Sequence, residues 1–571
     1  FSFPPIVAFS IPMGIFQSPL PPVKFPKKPK PLHEYFFDKT AAYGDSLAFI
    51  NYVTKEEVTF SDLHARARFI ALSLLALGLE KGEAVLLALD NRAETIWCLL
   101  GISMAGAAAT TISPLFSADE MHHQIESSYT RFAFVVPKSI NAVQSVFQSL
   151  HRDHRLICIG PREEAQGLPI LSDLALALEV LSDSAAVLPQ ISPEEDVVYL
   201  PFSSGIHGEK KGILVTHDVF SKQLCITNHP QFDNPRTGEY TVTLLPFSRH
   251  IGIMTCLSSL LKGATVVTVP EFNVHAFMEC IDLYEARIVF ATPYVVHLMS
   301  HVESTATTPV PTMESLQMMV VCTAPLTRYA FERFTKKFPG CSIVSAYGMT
   351  ETGMLARSRP RKFYGRSTGV LAPTIQLKIL DMVSGAELER GQKGVIYVSG
   401  PTTLSPYLDS PDMDPIGGWR KTGDVGYIDD NDEIHLIDRA RDIIKVFGYQ
   451  VVPHELEEIL STHPSVVECA VVGVNDAEAG KYPRERKRTK KRERRGEGRD
   501  RTGERPIAFA VLKQPCSTTK EELVDYVNER VSRPKRLLRV ELSSTLPRTS
   551  CGAVLRRVLA DASNLSINNA I

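Results

Sequence analysis

Apolar positions in the first 440 residues alternate between helical spacing and short, fully apolar runs. Ser61 can cap a predicted helix that runs to residue 79, with apolar side chains at helical spacing and a stop near Gly78. Residues 84–89 form an apolar run of the strand type. Residues 95–104 show helical spacing again, and residues 107–112 show the strand pattern. This alternation predicts an α/β fold whose large N-terminal domain contains parallel-type sheets covered by helices.

After about residue 440 the pattern becomes that of a smaller α+β unit. Pro453 fits the first turn of a helix, and acidic residues follow it, as the helix dipole favours. Thr518 and Glu521 have the spacing of a capping box at the start of a second helix. Between these two helices, residues 481–502 offer almost no apolar surface to bury, so we expect a disordered basic insertion.

These changes in pattern divide a chain that, at 571 residues, is too long for one ordinary core. Residues 1–32 are rich in Pro and Lys and predict a flexible leader. The large N-terminal domain then covers residues 33–438, and the small C-terminal domain covers residues 439–562. Residues 563–571 are predicted to form a tail.

Positive charge is concentrated in one part of the chain. Hydrophobic residues make up 44% and charged residues 22%, which is typical of a globular protein. Between Lys481 and Arg505 there are 13 Lys or Arg against 5 Asp or Glu, a local charge of +8, whereas the whole chain carries −2 and the remainder therefore −10. That balance argues against a general nucleic-acid-binding surface. The basic run itself is either a solvated insertion or a nucleic-acid or localisation signal.

Cysteine usage and the chain ends bear on the cellular compartment. The 10 cysteines include no Cys-x-x-Cys pair, so we expect neither a zinc cage nor a disulfide framework, and a reducing compartment. Residues 1–16 are apolar but contain three prolines, which makes them a poor signal peptide, and no later stretch has the pattern of a membrane span. Residues 569–571 are not a Ser-Lys-Leu type signal, so we expect a cytoplasmic location, and a peroxisomal one stays open.

The strongest local signal is a stretch of small, hydroxyl and basic residues between two short apolar runs. Its members that suit an anion are Ser203, Ser204, Gly205, Gly208 and Lys211. The glycines let backbone N–H groups approach a phosphate, the hydroxyls add donors, and the lysine adds positive charge. The spacing is not that of a Walker A loop. Taken alone, a hairpin turn rich in Gly and Ser is an equally good interpretation.

Three later segments combine residues that suit a nucleotide. Residues 345–351 place Tyr347, whose face can stack on a base, close to Glu351, whose carboxylate suits Mg²⁺. Asp424 lies between glycines and can accept hydrogen bonds from two neighbouring ribose hydroxyls. Residues 438–445 are rich in charge. Each segment by itself would pass as an ordinary surface turn.

The order of the four segments resembles the core motifs of the acyl-adenylate-forming superfamily, which includes acyl-CoA synthetases, 4-coumarate–CoA ligase and firefly luciferase. The resemblance runs from about Pro31 to Leu559, and the weaker landmarks at residues 245–247, 324–326 and 365–369 agree with it. It implies a large N-terminal domain that binds ATP and the acid, and a small, mobile C-terminal domain.

The resemblance also implies a reaction. A fatty or aryl carboxylic acid would be activated with ATP to acyl-AMP and then transferred to coenzyme A, with Mg²⁺ as cofactor and the acid and coenzyme A as small-molecule partners. The C-terminal domain would swing about a hinge near Asp438 to Arg441 and bring Lys445 and the Gly448 segment towards the site for the second step.

Individual roles follow from the same resemblance. Lys211, Glu351 and Lys445 would act in catalysis, and Glu351 would bind the metal ion. Tyr347 would stack on adenine, while Asp424 and Arg439 would hold the ribose. The ATP or AMP site would comprise Ser203, Ser204, Gly205, Gly208, Lys211, Ala324, Pro325, Tyr347, Thr350, Glu351, Asp424 and Arg439.

The acid pocket is less clear from the sequence. Family members often have a His or an aromatic residue after the Leu-Pro-Phe landmark, and this chain has Arg249 and His250 there. Either side chain can meet a carboxylate, and either can equally be structural. Ala346, in the segment that carries Tyr347, would line the same pocket.

The chain departs from the family pattern in three places. The residue that follows the glycine of the closing motif is Ala553, where relatives have a lysine that bridges the carboxylate and the phosphate. Loss of such a cation reduces the rate by roughly 10²–10³, or about 3–4 kcal/mol. Ile206 and His207 replace two threonines of the phosphate loop, and Lys210 replaces a proline and adds a charge that can offset part of the loss.

These departures put the adenylation half-reaction in doubt and leave two main functions open. One is a working acid–thiol ligase. The other is a non-catalytic relative that binds a nucleotide or an acyl group. An oxygenase of the luciferase type is a further alternative, although no residue demands it. The fold alone does not choose among them.

Overall fold

The structure, a computed structural model, describes residues 14–175, 187–203, 210–304, 310–365, 367–409, 415–446, 449–476, 503–513, 516–549 and 552–568. The α-helices in these ranges are α1 (Leu32–Thr40), α2 (Phe60–Ala76), α3 (Ala93–Met104), α4 (Ala118–Ser127), α5 (Ile140–Ser149), α6 (His217–Thr227), α7 (His250–Leu261), α8 (Val274–Leu283), α9 (Pro293–His301), α10 (Arg328–Lys337), α11 (Pro453–Ser461), α12 (Lys520–Asn528) and α13 (Arg556–Asn568). None of them is long and apolar enough to cross a membrane.

Strands occur in two large sheets and three small ones within the same ranges. The strands are β1 (Ile15–Gln17), β2 (Leu47–Asn51), β3 (Glu57–Thr59), β4 (Ala84–Ala88), β5 (Ala108–Thr111), β6 (Phe132–Val135), β7 (Arg155–Cys158), β8 (Val197–Tyr199), β9 (Phe202–Ser203), β10 (Lys211–Gly212), β11 (Val215–Thr216), β12 (Tyr240–Thr243), β13 (Thr265–Thr268), β14 (Ile288–Ala291), β15 (Met318–Val321), β16 (Ser342–Met349), β17 (Gly353–Arg357), β18 (Ser367–Leu371), β19 (Gln376–Leu380), β20 (Gly394–Ser399), β21 (Arg420–Ile428), β22 (Glu433–Arg439), β23 (Ile444–Val446), β24 (Tyr449–Val451), β25 (Val466–Asp476), β26 (Gly503–Leu512) and β27 (Val540–Leu542).

The two large sheets confirm the predicted α/β fold. A six-stranded sheet has the order β11-β8-β5-β4-β6-β7, and the pairs from β8 to β7 are parallel. In the fourteen-stranded sheet the strands from β2 through β13, β12, β14 and β15 to β16 are also parallel. Helices connect these strands, because a parallel crossover needs a dozen or more residues.

The rest of the large sheet is antiparallel, which the sequence analysis did not predict. From β16 onwards the strands pair antiparallel in the order β16-β17-β18-β22-β21-β20-β19-β1. Short turns join some of these strands, such as the three residues between β16 and β17 and the four between β21 and β22, and such turns are too short to hold a crossover helix. The change from parallel to antiparallel pairing occurs at β16, the strand that carries Tyr347.

Two helix caps differ from the predicted ones by one or two residues. Thr59 caps α2 through the Asp62 N–H, and the Asp62 carboxylate returns to the Thr59 N–H, in place of the predicted Ser61 cap. Thr519 caps α12, in place of Thr518. Both threonines have extended backbone angles directly before the first helical residue, which is what capping requires. Pro453 begins α11, as predicted.

The predicted flexible leader, residues 1–32, is packed against the large sheet over its second half. Strand β1 pairs antiparallel with β19. Phe16 is only 8% exposed and belongs to the core of the antiparallel part of the sheet, against which Val23 and Phe25 also pack. These apolar side chains bury surface against the sheet, although the high proline content of the segment predicted a flexible leader. Residues 1–13 lie outside the described residues.

The C-terminal part forms the predicted smaller α+β unit. Strands β25, β26 and β27 make one sheet, β23 and β24 make a hairpin, and α11 and α12 share a core with them. The register of β25 and β26 pairs Asp476 with Gly503, so the residues between them, which include the basic insertion, connect adjacent strand ends. Those connecting residues are not described. The unit contacts the large domain where the Tyr364 hydroxyl donates to Glu458 Oε1 at 2.7 Å.

Candidate active site

Three of the predicted nucleotide-binding residues meet at the centre of the large sheet. The Tyr347 hydroxyl on β16 donates to Asp424 Oδ2 at 2.6 Å. Arg439 Nε lies 2.9 Å from Asp424 Oδ1, because β21 and β22 pair these two residues directly across the ladder. The side chains come from three strands and from positions separated by up to 92 residues, so the fold itself assembles the group.

Burial sets the electrostatics of this group. Asp424 is 6% exposed, and that burial raises its pKa above the ordinary value, although the charge of Arg439 and the hydroxyl of Tyr347 act in the opposite direction. Burial and the neighbouring Asp424 carboxylate raise the pKa of Tyr347, so the phenol stays protonated and donates. The carboxylate is therefore held with oriented partners and retains capacity to accept further hydrogen bonds.

Glu351 and Lys211 meet through a residue that the sequence analysis did not identify. The Tyr407 hydroxyl donates to Glu351 Oε1 at 2.8 Å. Lys211 Nζ lies 5.9 Å from the centre of the Tyr407 ring, and the guanidinium carbon of Arg420 lies 5.0 Å from it. Arg420 is itself fixed by the carbonyl oxygen of Thr403, which accepts from Arg420 Nε at 2.8 Å. Tyr407 thus places a predicted phosphate ligand beside a predicted metal ligand.

The predicted phosphate loop begins and ends on a short antiparallel pair. Ser203 on β9 is opposite Lys211 on β10, so the two ends of the loop are adjacent. Ser203 Oγ is buried and has no hydrogen-bond partner among the residues that the structure describes. Such a hydroxyl is suited to a phosphate oxygen. Ser204, Gly205 and Gly208 lie outside the described residues.

Lys210 is directed away from the predicted phosphate position. Its ammonium group donates to the Glu120 carbonyl at 2.7 Å and lies 4.4 Å from the centre of the Phe116 ring. The His123 ring nitrogen Nε2 lies 2.8 Å from the Lys210 carbonyl oxygen. We expected the charge of Lys210 to offset part of the loss of the two threonines from the predicted phosphate loop. In this arrangement the charge is directed elsewhere and does not do so.

The remaining predicted nucleotide-site residues of the large domain lie at or just after the carboxyl ends of the neighbouring strands β15 and β16. Ala324 and Pro325 are exposed and are separated by two residues from the end of β15, the strand next to β16. Thr350 precedes Glu351 in the turn between β16 and β17. Ala346 is half-buried beside Tyr347 on β16. The structure places these residues near one another along β15 and β16, and their assignment to a nucleotide site stays a prediction.

The two candidate acid-pocket residues have different environments. His250, at the start of α7, is 6% exposed and lies between the rings of Tyr199 and Phe220, at centroid distances of 5.6 and 5.7 Å. Burial lowers the pKa of His250 to about 4, so the ring is neutral near pH 7. Arg249 is half-buried at the N-cap of α7.

Lys445 lies apart from the cluster around Tyr407. Its side chain is exposed on the β23–β24 hairpin of the small domain, and its backbone N–H donates to Glu504 Oε2 at 2.9 Å. In the described part of the chain, the Lys445 side chain forms no hydrogen bond or ion pair with Glu351. Gly448 is not described.

The closing motif forms a tight turn against the large domain. The Thr549 N–H donates to the Ala553 carbonyl at 2.8 Å, and the Ala553 N–H returns to Thr549 Oγ1 at 3.2 Å. Gly552 has φ +79°, and a Cβ there would lie 2.6 Å from the Tyr294 Cβ. Tyr294 follows β14, the neighbour of β15, so the turn reaches the sheet edge that carries Ala324.

A magnesium ion fits the residues at this edge. Hard cations prefer oxygen ligands, and Mg²⁺ is usually held by one or two carboxylates together with phosphate oxygens. Glu351 is buried at the site, and Tyr407 contacts one of its two carboxylate oxygens. Within the described ranges, a group of three potential metal ligands consists of Asp429 after β21 and Glu433 and His435 on β22, and it does not include Glu351.

Family models match most of the chain. One described as "AMP-binding enzyme" matches residues 36–408, and one described as "AMP-binding enzyme C-terminal domain" matches residues 455–484 and 496–553. Among curated relatives, 4-coumarate–CoA ligase 2 of Petroselinum crispum is 28% identical over 561 residues, covering 95% of this chain and 96% of the relative. 4-Coumarate–CoA ligase 4 of Arabidopsis thaliana is 29% identical over 568 residues, covering 95% and 94%.

Solved structures share the fold. The anthranilate CoA ligase AuaEII in complex with anthranoyl-AMP has a TM-score of 0.80 and 21% sequence identity, covering 95% of this chain and 98% of that one. ATP-bound MatB from Rhodopseudomonas palustris has a TM-score of 0.78 at 21% identity, covering 93% and 99%. The coverage is nearly complete in both directions, so these structures contain the same two-domain architecture.

Proposed function

Because this chain belongs to the AMP-binding enzyme family, we propose that it activates a fatty or aryl carboxylic acid with ATP to an acyl-adenylate and transfers the acyl group to coenzyme A. The observation that carries the proposal is the assembled edge of β16. There Tyr347, Asp424 and Arg439 form one hydrogen-bonded group, and Glu351 lies with Tyr407 near Lys211. The relatives named 4-coumarate–CoA ligase and the anthranilate CoA ligase support acids of the aryl class.

In the first step an oxygen of the substrate carboxylate attacks the α-phosphorus of ATP, and the bond from that phosphorus to pyrophosphate breaks. Lys211 and the Ser203 hydroxyl would hold phosphate oxygens and offset their charge. Asp424 would accept from the ribose hydroxyls, with its orientation fixed by Tyr347 and Arg439. A metal ion held by Glu351 would supply charge neutralisation at the phosphates.

In the second step the thiol of coenzyme A attacks the acyl carbon, and AMP leaves. The hinge for the domain motion would lie at Asp438, at the end of β22. Burial raises the pKa of Asp438, and its Oδ2 accepts from the His454 N–H of α11 at 3.3 Å. This contact ties the last strand of the large sheet to the first helix of the small domain. Rotation here would bring Lys445 towards the acyl-adenylate.

Acid-dependent release of pyrophosphate tests the proposal directly. Purified protein with ATP and Mg²⁺ is given 4-coumarate, benzoate, anthranilate or octanoate, and products are measured with and without coenzyme A. We expect release with at least one acid, and the matching acyl-CoA when the thiol is added. Folded protein that binds ATP, yet yields neither acyl-AMP nor acyl-CoA with any of these acids, would contradict the proposal for these substrate classes.

One observation favours a second function, that of a non-catalytic nucleotide-binding relative. Ala553 places a methyl group in the closing turn, where the family pattern has a lysine. Calorimetry with ATP and AMP separates the two functions when it is combined with the pyrophosphate assay. Binding without turnover supports the second function, and binding with turnover supports the first.

A further inference from the structure

Tyr407 links the predicted metal ligand Glu351 to the end of the predicted phosphate loop at Lys211. It lies in the connection between β20 and β21, and it is only 7% exposed. The proposed reaction needs a carboxylate that can bind a metal ion and an ammonium group that can bind phosphate. The contacts of Tyr407 with both groups indicate how one side chain keeps each of them ready for its ligand.

The backbone of Tyr407 is tied to the end of the predicted phosphate loop. Tyr407 forms an antiparallel bridge with Ile213, two residues after Lys211. Two backbone hydrogen bonds of 2.8 and 2.9 Å flank this bridge, and they join Leu408 to Gly212 and Leu214 to Pro406. Because the pairing continues on both sides of Tyr407, the position of its ring is fixed relative to Lys211.

The hydroxyl and the ring of Tyr407 contact opposite charges. The hydroxyl donates to Glu351 Oε1 at 2.8 Å, and Lys211 Nζ lies over the ring, 5.9 Å from its centre. A hydrogen bond to a carboxylate is among the stronger ones in proteins, and the face of an aromatic ring attracts an ammonium group. Tyr407 therefore holds the carboxylate by its polar end and the ammonium group by its apolar face.

The charges of Glu351 and Lys211 do not pair with each other. Within the residues that the structure describes, neither side chain forms an ion pair. A lysine and a glutamate at one site attract each other, and a direct pair would occupy both groups. Contact with Tyr407 gives each charge a different partner, so each keeps the capacity to bind a ligand.

One carboxylate oxygen of Glu351 is left for a cation. The residue is 6% exposed, and in the described ranges Oε1 accepts from Tyr407 whereas Oε2 has no hydrogen-bond partner. A buried carboxylate is stable only when its oxygens are satisfied by donors or by a metal ion. Mg²⁺ usually binds to one or two carboxylates together with phosphate oxygens, so the unpartnered Oε2 suits it.

Arg420 fixes the ring of Tyr407. Its guanidinium carbon lies 5.0 Å from the ring centre, and its N–H groups donate to the carbonyl oxygens of Thr403, at 2.8 Å, and of Ser405. Arg420 is only 2% exposed, so it supports the ring and does not reach a ligand from solvent. The orientation of the hydroxyl is therefore set before any nucleotide binds.

We propose that, in the function proposed above, Tyr407 is a positioning residue that acts through Glu351. Its hydroxyl holds the carboxylate with one oxygen open to the metal ion that accompanies ATP, and its ring keeps Lys211 apart for the phosphates. Tyr407 itself contacts no reacting atom. Removal of a group that orients a metal ligand typically lowers metal affinity or activity by about 10–100-fold.

Magnesium-linked nucleotide binding tests this role without any turnover. ATP affinity is measured by calorimetry over a range of free Mg²⁺ concentrations, and Mn²⁺ bound in the presence of ATP is counted by electron paramagnetic resonance. AMP affinity is measured in the absence of metal. The variants are Tyr407→Phe, which removes only the hydroxyl, Glu351→Gln and the double variant. Melting temperature establishes that each variant is folded.

The matched control is Tyr52→Phe. The Tyr52 hydroxyl also donates to a glutamate, Glu279 Oε2 at 3.0 Å, and Lys55 Nζ lies 4.1 Å from its ring centre. This group follows β2, which is five strands away from β16 in the large sheet. The control therefore removes the same kind of hydrogen bond from the same three residue types outside the candidate site.

We expect Tyr407→Phe to raise the Mg²⁺ concentration required for tight ATP binding by roughly tenfold, with a matching loss of Mn²⁺ affinity. AMP affinity should stay within about twofold of the parent, because Asp424 and Arg439 are far enough from the change to act independently. Tyr52→Phe should equal the parent in all three measurements. This separation of ATP from AMP is what a merely structural role would not produce.

The double variant tests whether Tyr407 acts through Glu351. Glu351→Gln should itself raise the Mg²⁺ requirement by at least as much as Tyr407→Phe. In the Glu351→Gln background, the loss of the Tyr407 hydroxyl should change the requirement by less than about twofold, because the residue on which it acts no longer binds the metal. Additive effects of the two substitutions would show that Tyr407 does not act through Glu351.

Two further results would overturn the role of Tyr407. One is a folded Tyr407→Phe variant with the Mg²⁺ requirement of the parent, and the other is an equal loss of ATP and AMP affinity. Glu351→Gln is an independent check if Tyr407→Phe does not fold, since an unchanged Mg²⁺ requirement there would exclude the metal ligand itself. Failure to form acyl-AMP with any acid, combined with the expected Mg²⁺ shift, would contradict the proposed function and support the role of Tyr407.

Discussion

The two domains each contain a buried carboxylate paired with an arginine, and the two pairs are built differently. Asp424, in the large domain, is held by Tyr347 and Arg439, and its pKa is raised by burial. Glu457, in the small domain, is held by Arg556, by the Val471 N–H at 2.7 Å and by His454, and its pKa is lowered to about 2.

The difference lies in how completely each charge is satisfied. Glu457 is buried with enough donors on both carboxylate oxygens to overcome its desolvation. Asp424 is similarly buried, but its partners do not fully compensate the cost of removing its charge from water. The side chain of its partner Arg439 is 45% exposed. An under-compensated carboxylate beside an exposed guanidinium is suited to receive a ligand, whereas a fully compensated one is suited to hold a fold together.

The largest expected effect follows from breaking the pair of the small domain. Arg556→Ala leaves Glu457 buried without its arginine, and removal of one partner of a buried pair typically costs about 3–5 kcal/mol. We expect the free energy of unfolding of the small domain, measured by urea denaturation, to fall by this amount. Arg557→Ala, on the same helix and 77% exposed, serves as the control and should change stability by less than about 0.5 kcal/mol. Equal stability of the two variants would remove the structural role of the Glu457 pair.

Lowering the pH should change the stability of the fold in opposite directions through the two carboxylates. The pKa of Glu457 is lowered from 4.5 to about 2. The ionised carboxylate therefore stabilises the folded state above pH 4.5, and this stabilisation is lost as the pH falls from 4.5 towards 2. At one pKa unit per 1.4 kcal/mol, the loss is on the order of 3 kcal/mol. The pKa of Asp424 is raised, so its protonation below that pKa favours the folded state. Stability of Glu457→Gln should therefore fall less between pH 4.5 and 2 than that of the parent, and parallel pH profiles would contradict the assignment.

A smaller effect is expected from the large-domain pair, and it should appear in ligand binding. Asp424→Asn keeps the shape but removes the charge that faces Arg439, and a lost charge-assisted hydrogen bond corresponds to about 1.5–3 kcal/mol. We expect ATP and AMP affinity, measured by calorimetry, to fall roughly 10–100-fold. Asp430→Asn, an exposed aspartate in the turn that follows β21, is the control. Unchanged AMP affinity in folded Asp424→Asn would exclude a ribose-binding role.

The sequence predicted the residues of this site that belong to compact motifs. Tyr347, Glu351, Asp424 and Arg439 each lie in a short segment whose composition suits a nucleotide. The antiparallel pairing of β21 with β22, which sets Asp424 opposite Arg439, was not part of that prediction. Tyr407 could not be found in this way. It contacts Glu351 across 56 residues of sequence, and it is positioned by a bridge to Ile213, just after the phosphate loop.

The sequence analysis also failed to predict two features that depend on packing or on a choice between adjacent capping residues. Ser61 and Thr59 are both good capping residues, and the choice between them depends on where the chain leaves β3. The leader was expected to be flexible because proline and lysine dominate it, yet a few apolar residues such as Phe16 find a place on the antiparallel sheet. Short apolar segments of this kind carry no periodic signal, since β1 is only three residues long.

The smallest expected effect concerns the basic insertion of the small domain. Strands β25 and β26 pair from Val466 with Leu512 to Asp476 with Gly503, so the sheet is complete on both sides of the inserted residues. The C-terminal family model likewise matches up to residue 484 and again from residue 496. The apolar core of the domain and the Glu457 pair lie outside the insertion. The insertion should therefore add little to the stability of the small domain.

Deletion of residues 481–501 tests this expectation. The shorter connection between Asp476 and Gly503 closes with less loss of chain entropy, a gain on the order of 1 kcal/mol. The melting temperature should stay constant or rise by a few degrees, and nucleotide affinity should not change. A Gly/Ser segment of equal length is the control, because it keeps the loop entropy and removes the charge. If the deletion and this control both lower the melting temperature by many degrees, the basic residues themselves stabilise the protein, and the Glu457 pair and apolar core are not sufficient to hold the small domain.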